Sequence, residues 1–269
     1  MKRKKTMLCA VWITAVMIVL YPFAASRYNR YVTAQLTAEY AINVSGLSEA
    51  EITAAWEAAV SYNESLRTGA ALEEDVYEAC LNLYGDGMMG ALVIEKIGVN
   101  LPIYHYSTEE VLTRGAGHLE DTALPVGGES THCVLTGHRG LPGSSLFTYL
   151  DELEEGDLFY LKILNQTLAY EVTQIQIVEP QDTSSLNVQS GEDLCTLVTC
   201  TPYGVNTHRL LVTGTRTEFA QETEETGQET VSHWQDNILI AAAAGETILY
   251  LILRKRLIRA ENERERSLK

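Results

Sequence analysis

Between Met88 and Thr217 the apolar residues come in short β-branched stretches cut by Gly, Pro and Asp: "GALVIEKIGVNLPIY", "THCVLTGH", "GDLFYLKIL", "QTLAYEVTQIQIVEP", "CTLVTC" and "HRLLVTGTR". This texture constrains the chain more than any other feature. β-Branched side chains pack well on a pleated surface, whereas Gly, Pro and Asp favour turns. Many short strands with little helix between them predict a mostly antiparallel barrel or sandwich. The segment "LFTYLDELEEGD" (146–157) is expected as a short helix or turn within it.

The residues before this region read differently. Residues 33–83 are rich in Ala, Glu and Leu, and "SEAEITAAWEAAVSYNESL" opens with Ser48 three positions before Glu51. A Ser hydroxyl that caps the N3 amide while the N3 carboxylate reaches back is a capping box, so one long amphipathic helix is expected. Further upstream, "MLCAVWITAVMIVLYPFAA" (7–25) carries no charge over nineteen residues. That length crosses a bilayer as a helix and is long for a signal-peptide core, although "AAS" at 24–26 resembles a cleavage site.

A second apolar run, "NILIAAAAGETILYLILRKR" (237–256), is interrupted by Gly245 and Glu246. A carboxylate within hydrocarbon costs roughly 2.5–3.5 kcal/mol on insertion scales. The basic "RKR" that follows is nevertheless a cytoplasmic flank in type, as is "KRKK" at 2–5. Two spans are expected, with both termini inside and the body outside; a surface helix is the alternative for the second run. Residues 31–236 hold 7 basic against 32 acidic residues, a balance that excludes a nucleic-acid face. Residues 218–236 read as an acidic linker.

Cys80, Cys133, Cys195 and Cys200 lie in the expected external body. Cys195 and Cys200 are five apart in one strand, so their side chains face opposite sides and do not bridge. Cys80–Cys133 and Cys133–Cys195 bridges both remain open on spacing. Cys133 and Cys195 each lie five residues before His138 and Cys200, on the faces opposite those residues, where buried inert thiols are expected. A metal site of His132, Cys133 and His138 lacks a fourth ligand, and no metal or other cofactor is implied.

A thiol acts as a nucleophile only as thiolate, with a base to move protons and a donor to hold an oxyanion. Of six histidines, His138 sits at the end of an apolar run between Gly137 and Gly140, where a rigid strand end meets a loop. His132 lies at the far end of that run, and His208 faces away from its neighbour Arg209.

"TLVTC" followed by "THRLLVTG", with "VLTGHRG" some sixty residues upstream, resembles the sortase family. The longer stretches "YGDGMMGALVIEKIGVNLPIYH" and "GAGHLEDTALPVGGESTHCVLTGHRGLPGSSLF" resemble its pilin-polymerising branch, class C, so the likeness covers most of 85–215. The resemblance implies a mostly β protein: a closed eight-stranded sortase-type β-barrel with short helices, an N-terminal helical region and flanking transmembrane helices. The expected organisation is an N-terminal flank and anchor (1–30), a helical region (31–87), the catalytic barrel (88–217), the linker (218–236) and a C-terminal span with a basic tail (237–269).

It also implies a cysteine transpeptidase in the membrane of a Gram-positive bacterium. Cys200 would attack the Thr–Gly bond of an LPXTG-like sorting signal, His138 would act as acid and base, and Arg209 would hold the oxyanion. Thr199 would line the peptide groove. Partners would be pilin or surface-protein substrates, an amine acceptor (a pilin lysine or a peptidoglycan precursor) and membrane lipid. A wall-anchoring sortase is the alternative within the family, and a tethered scaffold with a structural Cys200 is the alternative outside it. Class C sortases carry an Asp-Pro-aromatic lid; residues 64–87 contain none, the nearest pattern being Asp75-Val76-Tyr77, so a lid is expected to be degenerate or absent.

Overall fold

The computed structural model describes residues 2–71, 75–141, 143–218, 244–256 and 258–259. The expected acidic linker, apart from Glu218, lies outside them, as do the start of the second apolar run and most of the basic tail. The chain divides into two compact units, one of Met1–Tyr28 with Ser232–Lys269 and one of Asn29–Val231.

In the first unit, helix α1 (Lys2–Ser45) begins. Among the described residues it is the one helix long and apolar enough to cross a membrane, over Cys9–Ser45. It runs without a break through the expected boundary at residue 30. Residues 244–256 are also helical, and within this unit the rings of Trp12 and Tyr250 stack at 4.6 Å.

In the second unit the end of α1 is followed by α2 (Glu49–Thr68). The expected capping box is present: the Ser48 hydroxyl accepts from Glu51 N, and the Glu51 side chain accepts from Ser48 N. Gly69 ends the helix at φ +68°, the left-handed region that glycine enters without a Cβ clash. Both helices are fastened to the barrel by buried polar groups. Tyr40 Oη donates to Met89 O at 2.8 Å and accepts from Leu164 N at 3.0 Å. Asn63 exchanges two bonds with the Leu124 backbone, at 3.1 and 2.7 Å.

The remainder is eight strands: β1 (Met88–Ile94), β2 (Val99–Tyr104), β3 (Ala116–His118), β4 (Thr131–Thr136), β5 (Leu158–Ile163), β6 (Gln166–Val178), β7 (Asp193–Thr201) and β8 (His208–Thr217). They close into a barrel in the order β1-β2-β3-β4-β7-β8-β6-β5. Most pairings are antiparallel, as the short strands and tight turns predict. The exceptions are β2 with β3 and β4 with β7, which run parallel. The first crossover holds α3 (Val76–Ala79) nowhere in its path but does hold a second short helix, α4 (Glu109–Arg114). Residues 146–152 form turns and a 3-10 turn, as expected of that segment.

Alternation sorts the strand residues onto two faces. Cys133, Leu135, Cys195, Leu197, Leu210 and Val212 point into one core with Phe147, Phe159 and Tyr170. Residues 196, 198 and 200 of β7 take the opposite face, where Thr196 is covered and Val198 and Cys200 are half-buried, and that face carries the chemistry.

Candidate active site

The site is built from the ends of three adjacent strands. In the parallel pair, Thr136 of β4 registers with Val198 of β7. The ladder's last bond runs from Gly137 N to Val198 O at 3.0 Å. Two residues further along each chain, at the same offset, come His138 and Cys200. On the other side of β7, Cys200 registers directly with Arg209 of β8. The fold thus sets Cys200 beside Arg209 at one barrel end, with His138 in the loop that leaves the adjacent strand.

Cys200 is a free, half-buried thiol. The His138 imidazole, 26% exposed, meets Glu109 at the start of α4, with Nε2 3.2 Å from Oε1. Arg209 Nη1 donates to His208 O at 3.1 Å and reaches Asn206 O at 3.5 Å. Among the described contacts no hydrogen bond joins the Cys200 thiol to His138 or Arg209; the register pairs Cys200 with Arg209, and the β4–β7 ladder ends one residue short of His138.

The loop that carries His138 has its own supports. Phe147 N donates to His138 O at 3.1 Å. A Cβ on Gly137 would stand 2.7 Å from Phe147 Cδ2, so only glycine lets this ring close over the loop. Gly140 adopts φ +76°, and the ring of Tyr203 from the β7–β8 turn covers it.

Thr199, expected at the peptide groove, is 2% exposed and donates its hydroxyl to Gly137 O at 2.7 Å. The physical reason is alternation: a residue next to an outward Cys200 points inward. Its place is beneath the His138 loop.

Cys80, Cys133 and Cys195 are buried, as are His105, His118 and His132, whereas His208 is exposed. All five cysteines are free, and Cys133 registers with Cys195 across β4 and β7. Burial, with Cys133 beside it, pushes the Cys195 thiol well above its ordinary value. His132 is buried against Thr196 Oγ1 and Asn187 O, at 2.7 and 3.0 Å. His105 is held by Gly87 O and Cys80 O, and burial lowers its pKa as it does that of His132. Tyr77, of the segment nearest a lid pattern, packs on His105, Tyr106 and His118. Its hydroxyl meets His118 Nδ1 at 2.9 Å and accepts from Tyr106 N at 3.2 Å.

Three supporting residues escaped the sequence reading. Glu109 lies 29 positions from the histidine it meets. Arg139 sits beside His138, and Thr201 beside Cys200, so adjacency was their only signal.

The model of the sortase domain matches residues 92–217. Sortase C1 of Streptococcus agalactiae is 42% identical in sequence, with a TM-score of 0.67, and the match covers 69% of this chain and all of that one. The chain belongs to the sortase family. Other solved sortases of similar shape point to the same branch. A Streptococcus pneumoniae sortase C, whose structure is described as informative on pilin substrate specificity, matches at 43% identity and TM-score 0.64, over 69% of this chain and 97% of that one. A Clostridium perfringens sortase C with the C-terminal cell wall sorting motif matches at 40% and 0.64, over 69% of this chain and all of that one. Among curated relatives, Sortase D of Bacillus subtilis is 34% identical over 42% of this chain and 54% of its own length. Sortase A of Staphylococcus aureus is 30% identical over 44% of this chain and 57% of its own. The chain thus spans little more than half the length of these curated relatives.

Proposed function

We propose that this chain is a membrane-anchored cysteine transpeptidase acting on LPXTG-like sorting signals, with Cys200, His138 and Arg209 as its reacting residues. The observation that carries this reading is the register that pairs Cys200 with Arg209 and runs β4 alongside β7 up to the loop that carries His138. A buried structural thiol, like Cys133 or Cys195, would point into the core instead.

Cys200 Sγ, its proton passed to His138, attacks the Thr carbonyl carbon of the signal as thiolate. The carbonyl oxygen gains the negative charge, and the Arg209 guanidinium, turning from its own loop carbonyls, donates to it. The C–N bond then breaks, and His138 gives a proton to the departing Gly amine. An incoming amine attacks the thioester carbonyl, His138 takes its proton, and the Cys200 thiolate leaves. Glu109 holds the far nitrogen of His138 through these transfers and leaves Nδ1 for the reacting groups.

The acceptor is a pilin lysine, so that the product is an isopeptide-linked pilin polymer made on the outer face of a Gram-positive membrane. The sortase C neighbours support this assignment over a peptidoglycan amine. The test is intact-mass spectrometry of the full chain in detergent with an LPXTG-type peptide, alongside Cys200→Ala. A peptide adduct that maps to Cys200 and that a lysine amine discharges is the expected result. Turnover in Cys200→Ala would sink the assignment.

A further inference from the structure

Past Gly137 the β4–β7 ladder stops, so sheet bonds no longer fix where His138 stands relative to Cys200. Two side-chain bonds take over, and they bracket the pair. On one side Thr199 Oγ1 donates to Gly137 O at 2.7 Å. On the other side Arg139 Nη1 donates to Thr201 Oγ1 at 3.0 Å. Residues 137 and 139 are thus tied to residues 199 and 201, at the same offset that sets 138 beside 200.

Arg139 is fixed from every direction that its fork allows. Nε donates to Thr148 O at 3.2 Å, and Nη2 pairs with Asp151 Oδ2 at 2.5 Å. The side chain is only 7% exposed, whereas that of Asp151 is 49% exposed. Burying a guanidinium is costly unless it is paired and its N–H groups are satisfied. Here each of its three nitrogens meets a different partner, two in the 148–151 turn and one at the end of β7. A Lys ammonium is a single point donor and cannot span them. A surface loop needs no such device for its fold alone, since Phe147 N and Gly140 N already tie it down, at 3.1 and 3.4 Å. What Arg139 adds is the connection to the residue after the nucleophile.

We propose that Arg139 is a positioning residue: it latches the His138 loop to Thr201 and so holds the imidazole opposite Cys200, with Asp151 offsetting its charge. It touches neither reacting side chain and acts through the backbone on either side of them. The inference rests on Cys200 and His138 being the reacting pair. Misplacement of reacting groups by about 1 Å can cost ~100-fold in rate.

The experiment uses the full chain in detergent, an LPXTG-type peptide and Nα-acetyl-lysine amide as probes. Arg139→Met and Arg139→Lys are expected to lower kcat by ~10–100-fold with KM within ~3-fold, because positioning and not binding is lost. Thr201→Val, which removes only the acceptor end, lowers kcat by ~3–10-fold, and Thr201→Ser restores it. Arg139→Met/Thr201→Val is no slower than Arg139→Met, since both act on one bond. Independently of any peptide, hydrogen exchange in Arg139→Met quickens at both 138–141 and 201–206. Normal kcat in a folded Arg139→Met, multiplicative losses in the double variant, or unchanged exchange in both segments would each overturn the latch. Turnover in Cys200→Ala would overturn the latch together with the site. Normal Arg139→Met kinetics beside a dead Cys200→Ala would overturn the latch alone.

Discussion

Gly137→Ala adds one methyl group at the point where the His138 loop meets the core. The new Cβ would lie 2.7, 2.8 and 3.0 Å from three carbons of the Phe147 ring, which is fully buried. Carbon atoms rest at about 3.5–4.0 Å, so ring and loop must part by roughly 0.8 Å or more. Phe147 lies in the core cluster, and its own N–H holds His138 O, so the ring cannot yield without carrying the loop with it. The strain of overpacking costs about 1–3 kcal/mol, which for a chain of this size lowers the melting temperature by roughly 2–4 °C per kcal/mol. A displacement of this size next to His138 lowers kcat by ~10–100-fold. The assay pairs thermal unfolding with steady-state peptide transfer, on Gly137→Ala and on Gly137→Ala/Phe147→Leu. The smaller side chain makes room for the methyl group and is expected to return at least half of the lost activation free energy. A Gly137→Ala enzyme with native kcat, or a double variant no faster than the single one, would refute the close-packing argument.

Asn63→Ala removes both bonds to Leu124 from a buried place and leaves the Leu124 amide there without a partner, while Leu124 O keeps its bond from Val126 N at 2.7 Å. The expected loss is ~1–3 kcal/mol of unfolding free energy in denaturant titration, with kcat of the folded fraction intact. Glu109→Gln removes the negative charge facing His138 Nε2 while keeping an acceptor oxygen there, and lowers kcat by up to ~5-fold, an effect that shrinks as salt screens this exposed pair. Native kcat at low ionic strength would deprive Glu109 of its role. Burial lowers the pKa of both His105 and His132, so below about pH 6.5 the unfolded chain takes up protons that the folded chain refuses. Stability is full at neutral pH and falls as the pH drops through 6.5 towards the folded-state values. The decline of melting temperature between pH 7 and pH 5 is expected to be shallower in His132→Asn, and equal slopes would contradict this.

The parts legible in the sequence are those set by local rules. Ser48 and Glu51 announce a helix start because a capping box closes within one turn, and it is found closed. The β-branched runs announce strands, and eight strands close into the expected barrel. Parity alone put Cys133 and Cys195 opposite His138 and Cys200, and both thiols lie in the core. Parity would also have turned Thr199 inward, had it been applied to the neighbour of Cys200 as it was to Cys195.

What was not legible lies between distant segments. No local pattern tells that β4 and β7 run parallel at an offset of 62 residues, because parallel register is chosen by what fills the barrel and not by a turn. Yet that one offset decides the site. It brings the His138 loop alongside the Cys200 end of β7, gives Thr199 its acceptor at Gly137 and gives Arg139 its acceptor at Thr201. A slip of one residue would turn the outward face inward and undo all three relations together. The hydroxyls on both sides of the nucleophile in "VTCT" therefore belong to the register itself: they hold the ends of two strands where the ladder can no longer do so.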